Sequence, residues 1–482
     1  MDQSRLPTDT VITADAWPRT RRPLPWLIAG FLAAVYLIPI DGVHLKIPLP
    51  FSSDFDRFCV AAIVATWVTV AVAGNRREAV IRLRPRGWAA GMTAFISVVV
   101  ISITINIGRI TNLGEWDTTQ KKLAVLVAMI AMFAIFTLTL RVAELRAFTA
   151  LIAILATITA IGTIYEEKTD ENIFYTTAAS VLSPIATVDP PPTEENVPGA
   201  PGRPVVSGPT RQALSVTSIL GMSIPFAVVL AAVAPTTRRR ILWGLAACVI
   251  FTGALITQRR SGLVVPAFAL LAMFMLRPRQ FLRLVPFGIV ALAIGLVLSG
   301  GGFSAVNQVF GNSGDKYSTE GRTADYEAIV PDLLTTPALG RGFGTLDSIR
   351  HDTYRIFDNE YLDEVYQVGL LGLLAFLALI LTPLLIVRYV LRSDNPYRGP
   401  PALAAGAGCL AFGIAAGLYD ILNFPQAPYL FLFMAAVCTC AASVEVPSTA
   451  RTRAALRAGS TALHPHPADR GLIDRDPAGQ TA

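Results

Sequence analysis

Two arginines stand side by side in QRRSG (258–262), Arg259 and Arg260, and Arg322, Arg341 and Arg355 recur through the later stretch that ends RHDTYRIFDNEYLDEVYQVGLLGLL. A guanidinium carries a charge that cannot be titrated away and can bond two phosphate oxygens at once, so several of them converging suit a pyrophosphate. The same stretch holds His351, Asp352, Asp358 and Glu360, each able to take a proton from an attacking hydroxyl. Those are the two requirements for displacing a sugar from pyrophosphate: charge stabilisation on the departing oxygens and a base. Asp358 is the favoured base because it adjoins the helix that would hold it rigid. His351, whose side chain titrates in the right range, is the other candidate. Asn359, Glu360, Tyr361 and Arg355 would support them. Asp363 and Glu364 read as solvated helix charges, His44 as an exposed loop residue, and Gly369 and Gly372 as positions of close helix packing.

The elements that must position these residues are membrane helices. Of the 482 residues 53% are hydrophobic and 15% charged, and the mean hydropathy is +0.53. The apolar residues fall in about twelve blocks near the ~20 residues a spanning helix needs. These blocks lie at 24–40, 58–74, 88–106, 123–140, 147–163, 215–234, 241–257, 263–276, 283–300, 367–387, 401–419 and 428–445. The expected fold is therefore all-α, a polytopic membrane helix bundle with a large extracytoplasmic loop between the ninth and tenth spans. Residues 24–445 form the transmembrane domain in this reading, with outer loops at 164–214 and 301–366. Residues 1–23 form a cytoplasmic arm and 446–482 a disordered cytoplasmic tail.

Orientation follows from the arginines. Alternate connections such as NRREAVIRLRPRG (75–87), RVAELR (141–146), RPRQFLR (277–283) and RYVLRSDNPYRGP (388–400) are basic, while the intervening ones are mixed or acidic. The positive-inside rule then puts both termini in the cytoplasm and QRRSG on the outer face, where a pair of arginines is unusual and reads either as snorkelling to lipid phosphate or, the favoured reading, as a specific anion site. The net charge of +6 resides in cytoplasmic loops and the tail, where topology and anionic lipid explain it, so nucleic acid is not an expected partner. All five cysteines fall inside expected spans, and no HxxxH, HExxH or CxxC occurs. Neither a disulfide nor a metal site is expected, and no cofactor is implied.

Two outer loops differ in character. Residues 164–214, rich in proline, threonine and acid, read as a poorly ordered tether or lid. The larger loop contains TADYEAIVPDLLTTP, whose apolar spacing predicts an amphipathic helix ended by Pro337. GRGFG (340–344) then reads as a turn, since it lacks the lysine and the strand-to-helix context of a phosphate-binding glycine loop.

With its termini inside, its arginine turn outside and the ordered series GR, GRGFG, DNEYL and VGLLGLL, the chain resembles the O-antigen ligase and Wzy-type polymerase family over about residues 213–390. The resemblance implies a metal-independent, GT-C-like glycosyltransferase of the bacterial cytoplasmic membrane, acting at the outer face in cell-envelope or exopolysaccharide synthesis. Its donor would be an undecaprenyl-pyrophosphate-linked glycan and its acceptor a hydroxyl on a glycan or lipid. Membrane lipids and other envelope-synthesis proteins are candidate partners. Carried over by residue, Arg259 or Arg260 and Arg322 would grip the pyrophosphate, with Arg341 beside them. The ligases usually have His-Asn where this chain has Asp358-Asn359, and that departure leaves polymerase and ligase both open. A transporter or flippase of a lipid-linked or anionic substrate is the alternative class, for which matched broken helices in two halves would be expected.

Overall fold

The computed structural model describes residues 16–46, 54–73, 81–83, 86–191, 196–197, 200–257, 259–278, 330–331, 333–345, 359–392, 395 and 397–446. Within them the chain is mostly helical. The helices are α1 (Pro23–Leu37), α2 (Phe55–Ala73), α3 (Arg86–Ile105), α4 (Ile107–Asn112), α5 (Trp116–Thr139), α6 (Leu145–Thr169), α7 (Ile173–Leu182), α8 (Ala213–Val233), α9 (Thr237–Ile256), α10 (Ser261–Leu276), α11 (Glu360–Leu391), α12 (Gly399–Ala416) and α13 (Gln426–Ala441). Seven of these, α2, α5, α6, α8, α9, α11 and α12, are long and apolar enough to cross a membrane. The chain is therefore a membrane protein. The expected blocks at 24–40, 88–106, 263–276 and 428–445 carry shorter apolar helices, and the block at 283–300 lies outside the described residues.

Helix α8 forms the centre of the bundle. It packs against α6, α9, α10 and α12, and nearly every one of its residues is buried. Lipid tails are as apolar as leucine, so such helices associate through close packing and interhelical hydrogen bonds rather than hydrophobic exclusion. Both devices are present. A Cβ on Gly253 of α9 would lie 2.8 Å from the Ala160 Cα of α6, so this crossing requires glycine. Thr159 donates to the Tyr36 carbonyl at 2.7 Å, and Tyr36 and Ser223 share a hydrogen bond of 2.5 Å.

The basic connections gather at one end of this bundle. There Arg22 pairs with the fully buried Glu144, which also accepts from the N–H groups of Trp17 and Arg141. Arg277 donates to the Leu391 carbonyl and Arg398 to the Ser443 carbonyl, both at 2.7 Å. Strands Ile81–Leu83 and Val444–Val446 pair at the same end. At the opposite end Asp41 accepts from Gln426, Asp56 accepts from Tyr429, and Glu360 accepts from the Leu422 N–H.

The segment expected to be a poorly ordered tether has defined structure. Residues 164–191 include the end of α6, all of α7 and a strand, Ala186–Val188, paired antiparallel with Val43–Leu45. Its far end is clipped by the Glu166 carboxylate, which accepts from the N–H groups of Ser207 and Gly208 at 3.1 and 2.9 Å and from Asn172 at 3.0 Å. Asn172 also caps α7, accepting from the Phe174 and Tyr175 N–H groups. Composition reported the prolines of this segment but not the single acid that holds it.

Candidate active site

Helix α11 is broken. Gly369 has φ 73° and ψ −171°, a backbone region open almost only to glycine. In an unbroken helix the N–H groups of Leu370 and Leu371 would donate to the carbonyls of Tyr366 and Gln367. Here the segment PALGRGFG (337–344) takes both places. Leu370 and Leu371 donate to the carbonyls of Pro337 and Ala338 at 2.9 and 3.2 Å, while Arg341 and Gly342 donate to those of Tyr366 and Gln367 at 3.1 and 2.9 Å. Gly340, Gly342 and Gly344 all have positive φ, at 63°, 120° and 77°. A Cβ on Gly340 would meet the Gln367 carbonyl carbon at 2.5 Å. Side chains finish the joint: the Gly344 N–H donates to Gln367 Oε1 at 2.6 Å, Ser102 to the Leu339 carbonyl at 2.7 Å, and Asn106 to the Gly340 carbonyl at 3.2 Å. The N–H groups of residues 341, 342 and 344 are thus turned to the helix, in keeping with a turn and not with a phosphate cradle. Gly369, expected to serve helix packing, is instead the break itself.

Arg341 belongs to this joint. It is 5% exposed, its Nη2 lies 3.0 Å from the equally buried Glu115 Oε1, and its guanidinium sits 5.0 Å over the Tyr366 ring with Nη1 bonded to the Tyr366 hydroxyl. The expectation that Arg341 grips phosphate is corrected on this ground, because a guanidinium paired with a buried carboxylate and held on an aromatic face is already spoken for. Its evident role is to fix the loop.

The break delivers one wall of a cavity of about 370 Å³. Glu360, Asp363, Glu364 and Gln367 line it from α11, at the i, i+3, i+4, i+7 spacing that places residues on one helix face. Phe343 joins them from the glycine loop, Lys121 and Lys122 face them from α5, and Asp41, Asp56 and Tyr429 complete the far side. Asp363 and Glu364 are 5% and 3% exposed, which overturns their reading as solvated charges: α11 starts inside the fold, not at its surface. One oxygen of each, Asp363 Oδ1 and Glu364 Oε2, has no hydrogen-bond partner among the described residues. Glu360 is also buried. Chemically the cavity offers a row of carboxylates that can accept hydrogens from hydroxyl groups, over aromatic and apolar surface. Among the described residues no three His, Cys, Asp or Glu side chains converge so as to hold a metal ion.

The other expected residues divide by place. Asn359 caps α11 by accepting from the Tyr361 N–H at 3.0 Å, and Tyr361 bonds the Gly413 carbonyl and packs edge-on against Phe376. Asn359 thus starts α11 and Tyr361 holds it against α12. Arg259 and Arg260 form the turn between α9 and α10. Thr257, just before them, bonds Thr217 of α8 at 3.0 Å, and Arg211, just before α8, gives its N–H to Asp41. The arginine turn is therefore at the cavity's end of the bundle, though outside its wall. His351, Arg355 and Asp358, with Arg322, lie outside the described residues.

Residues 249–377 match the family model described as O-Antigen ligase. Over this stretch the chain is similar to the O-antigen ligases. No curated protein matches the chain. The matched stretch starts late in α9, contains the arginine turn, the glycine loop and the break at Gly369, and stops within α11. It supplies only one wall of the cavity. Asp41, Asp56, Lys121, Lys122 and Tyr429 come from outside it, and sequence reasoning passed over all five, because Asp41, Asp56 and Tyr429 sit singly in a connection or a helix start and the lysine pair read as ordinary loop charge. The α11 acids carried a usable signal, their helical spacing from Glu360.

Outside the matched stretch, Asp41 adds a pH dependence. Burial raises its carboxyl above the ordinary 3.8, opposed by hydrogen bonds from Gln426 and the Arg211 N–H and by the Arg211 charge. A raised carboxyl means that the fold favours the neutral acid. The stabilisation it gives is complete below 3.8 and is lost as the pH rises through the raised value. Asp41→Asn is expected to flatten that decline, read as melting temperature in lipid nanodiscs from about pH 4 to 8. His44 is a neighbour in this network and not a free loop residue, with Nδ1 3.0 Å from Asp54 and Nε2 3.4 Å from Asp189.

Proposed function

We propose that the protein is a membrane glycosyltransferase that moves a glycan from an undecaprenyl-pyrophosphate carrier to a hydroxyl acceptor on the outer side of the bacterial cytoplasmic membrane. The observation that carries this reading is the polar cavity, walled on one side by the glycine loop and first turns of α11, inside a chain similar to the O-antigen ligases over residues 249–377. In the proposed reaction the acceptor oxygen attacks the anomeric carbon, the bond from that carbon to the phosphate oxygen breaks, and undecaprenyl pyrophosphate departs with the electron pair. Arg259, Arg260 and Arg322 stabilise the charge on the departing oxygens. Asp358, or His351, takes the proton from the acceptor hydroxyl and returns it to solvent. The membrane domain, with its outer loops at 164–214 and 301–366, orients this chemistry outward, with both termini inside.

The test is purified protein in nanodiscs supplied with an undecaprenyl-pyrophosphate-linked oligosaccharide, reading released undecaprenyl pyrophosphate and glycan length. Release is expected from the unaltered protein and should fall by about a hundredfold or more in Arg322→Ala and in Asp358→Ala. Longer glycans identify a polymerase, and release only on addition of a separate acceptor identifies a ligase. No release, with lipid-linked substrate crossing the bilayer, would overturn the enzyme reading in favour of a flippase.

A further inference from the structure

The cavity wall carries six carboxylates, Asp41, Asp54, Asp56, Glu360, Asp363 and Glu364, against three cations, Arg57, Lys121 and Lys122. Arg57 is 3.3 Å from Asp54, and the lysines enter from α5 alone. An ionised carboxylate or phosphate only accepts hydrogen bonds, so it brings no hydrogen to a wall rich in carboxyl oxygens. Acidity by itself would define nothing, but Asp363 and Glu364 are each more than nine-tenths buried, face the cavity, and keep one oxygen unbonded among the described residues. Buried carboxylate oxygens are ordinarily bonded, so these two mark places for incoming donors. Their neighbours Phe343, Phe95 and Tyr429 supply aromatic surface of the kind that covers the apolar face of a sugar ring. The volume, about 370 Å³, is that of a small-ligand pocket.

We propose that this cavity is the acceptor subsite, and that it selects an uncharged, hydroxyl-rich glycan and rejects one bearing carboxylate or phosphate groups. Asp363 and Glu364 accept hydrogens from two acceptor hydroxyls, and an ionised carboxylate or phosphate, which has no hydrogen to give, cannot take their place. The inference rests on the glycosyltransferase reading, whose donor side lies elsewhere, at the arginines.

The experiment uses the full chain in nanodiscs and saturation-transfer NMR with two sets of probes. Maltotriose, mannotriose and triacetylchitotriose are the neutral set, and trigalacturonic acid is the anionic probe. Undecaprenyl pyrophosphate binding is measured on the same samples. At least one neutral trisaccharide should bind about tenfold or more tightly than trigalacturonic acid. Asp363→Asn combined with Glu364→Gln should bring that ratio close to one while leaving undecaprenyl pyrophosphate binding unchanged. Val125→Trp, which fills the cavity from α5 without touching a charge, should abolish neutral binding alone. The proposal is overturned if no neutral trisaccharide binds, if trigalacturonic acid binds as well or better, or if the double variant leaves the ratio unaltered. Failure of undecaprenyl pyrophosphate to bind would instead count against the donor reading, so the two can be told apart.

Discussion

Replacing Gly369 with alanine is expected to dismantle the joint between α11 and the glycine loop and, with it, the cavity wall. At φ 73° and ψ −171° an alanine is strained by about 1 to 3 kcal/mol. Its Cβ would also stand only 2.5 Å from the Leu339 backbone nitrogen, and backbone cannot step aside as a side-chain tip can. If the loop withdraws, α11 can close its own hydrogen bonds, but the carbonyls of Pro337 and Ala338 and the N–H groups of Arg341 and Gly342 lose partners, at about 1 to 3 kcal/mol for each group left buried and unpaired. The outcome should be a large fall in melting temperature and in recovered folded protein. Gly30→Ala is the control, because nothing lies within 4 Å of a Cβ there. Equal stability of the two variants would refute the account of the break.

The second large effect concerns Arg341 and Glu115. Each alone, Arg341→Met or Glu115→Gln, leaves the other charge buried without its partner, which costs about 3 to 5 kcal/mol. The double replacement removes both charges and should recover much of that loss, since apolar substitutes for a buried pair are often neutral. Thermal unfolding of the four proteins in nanodiscs gives the coupling as a double-mutant cycle. If Arg341 served a phosphate ligand instead, the two single changes would add, and Arg341→Met alone would weaken undecaprenyl pyrophosphate binding.

These two cases also show what a sequence discloses in a membrane bundle. Helix positions were legible because lipid demands long apolar runs, and the alternating arginines correctly grouped Arg22, Arg277 and Arg398 at one end of the bundle. The glycine loop was recognisable as a turn from its composition. What it touches was not, because a contact between residues 337–344 and 366–371 is made by backbone atoms, which every residue possesses. Glu115 gave no hint of its partner far along the chain. Asp363 and Glu364 were misread for a more general reason. Charges at a helix start are commonly solvated, and only the fold sets α2, α5 and α13 around the cavity that the start of α11 lines.

The joint has a further consequence for the sequence that builds it. Residues 337–345 and 359–371 are tied into one frame by bonds among themselves and to Ser102, Asn106 and Glu115. The stretch 346–358, which holds His351, Arg355 and Asp358, begins and ends on that frame. The joint's own bonds run mostly between backbone atoms and ask chiefly for glycine at 340, 342, 344 and 369. Four glycines thus carry most of what the joint demands of the sequence.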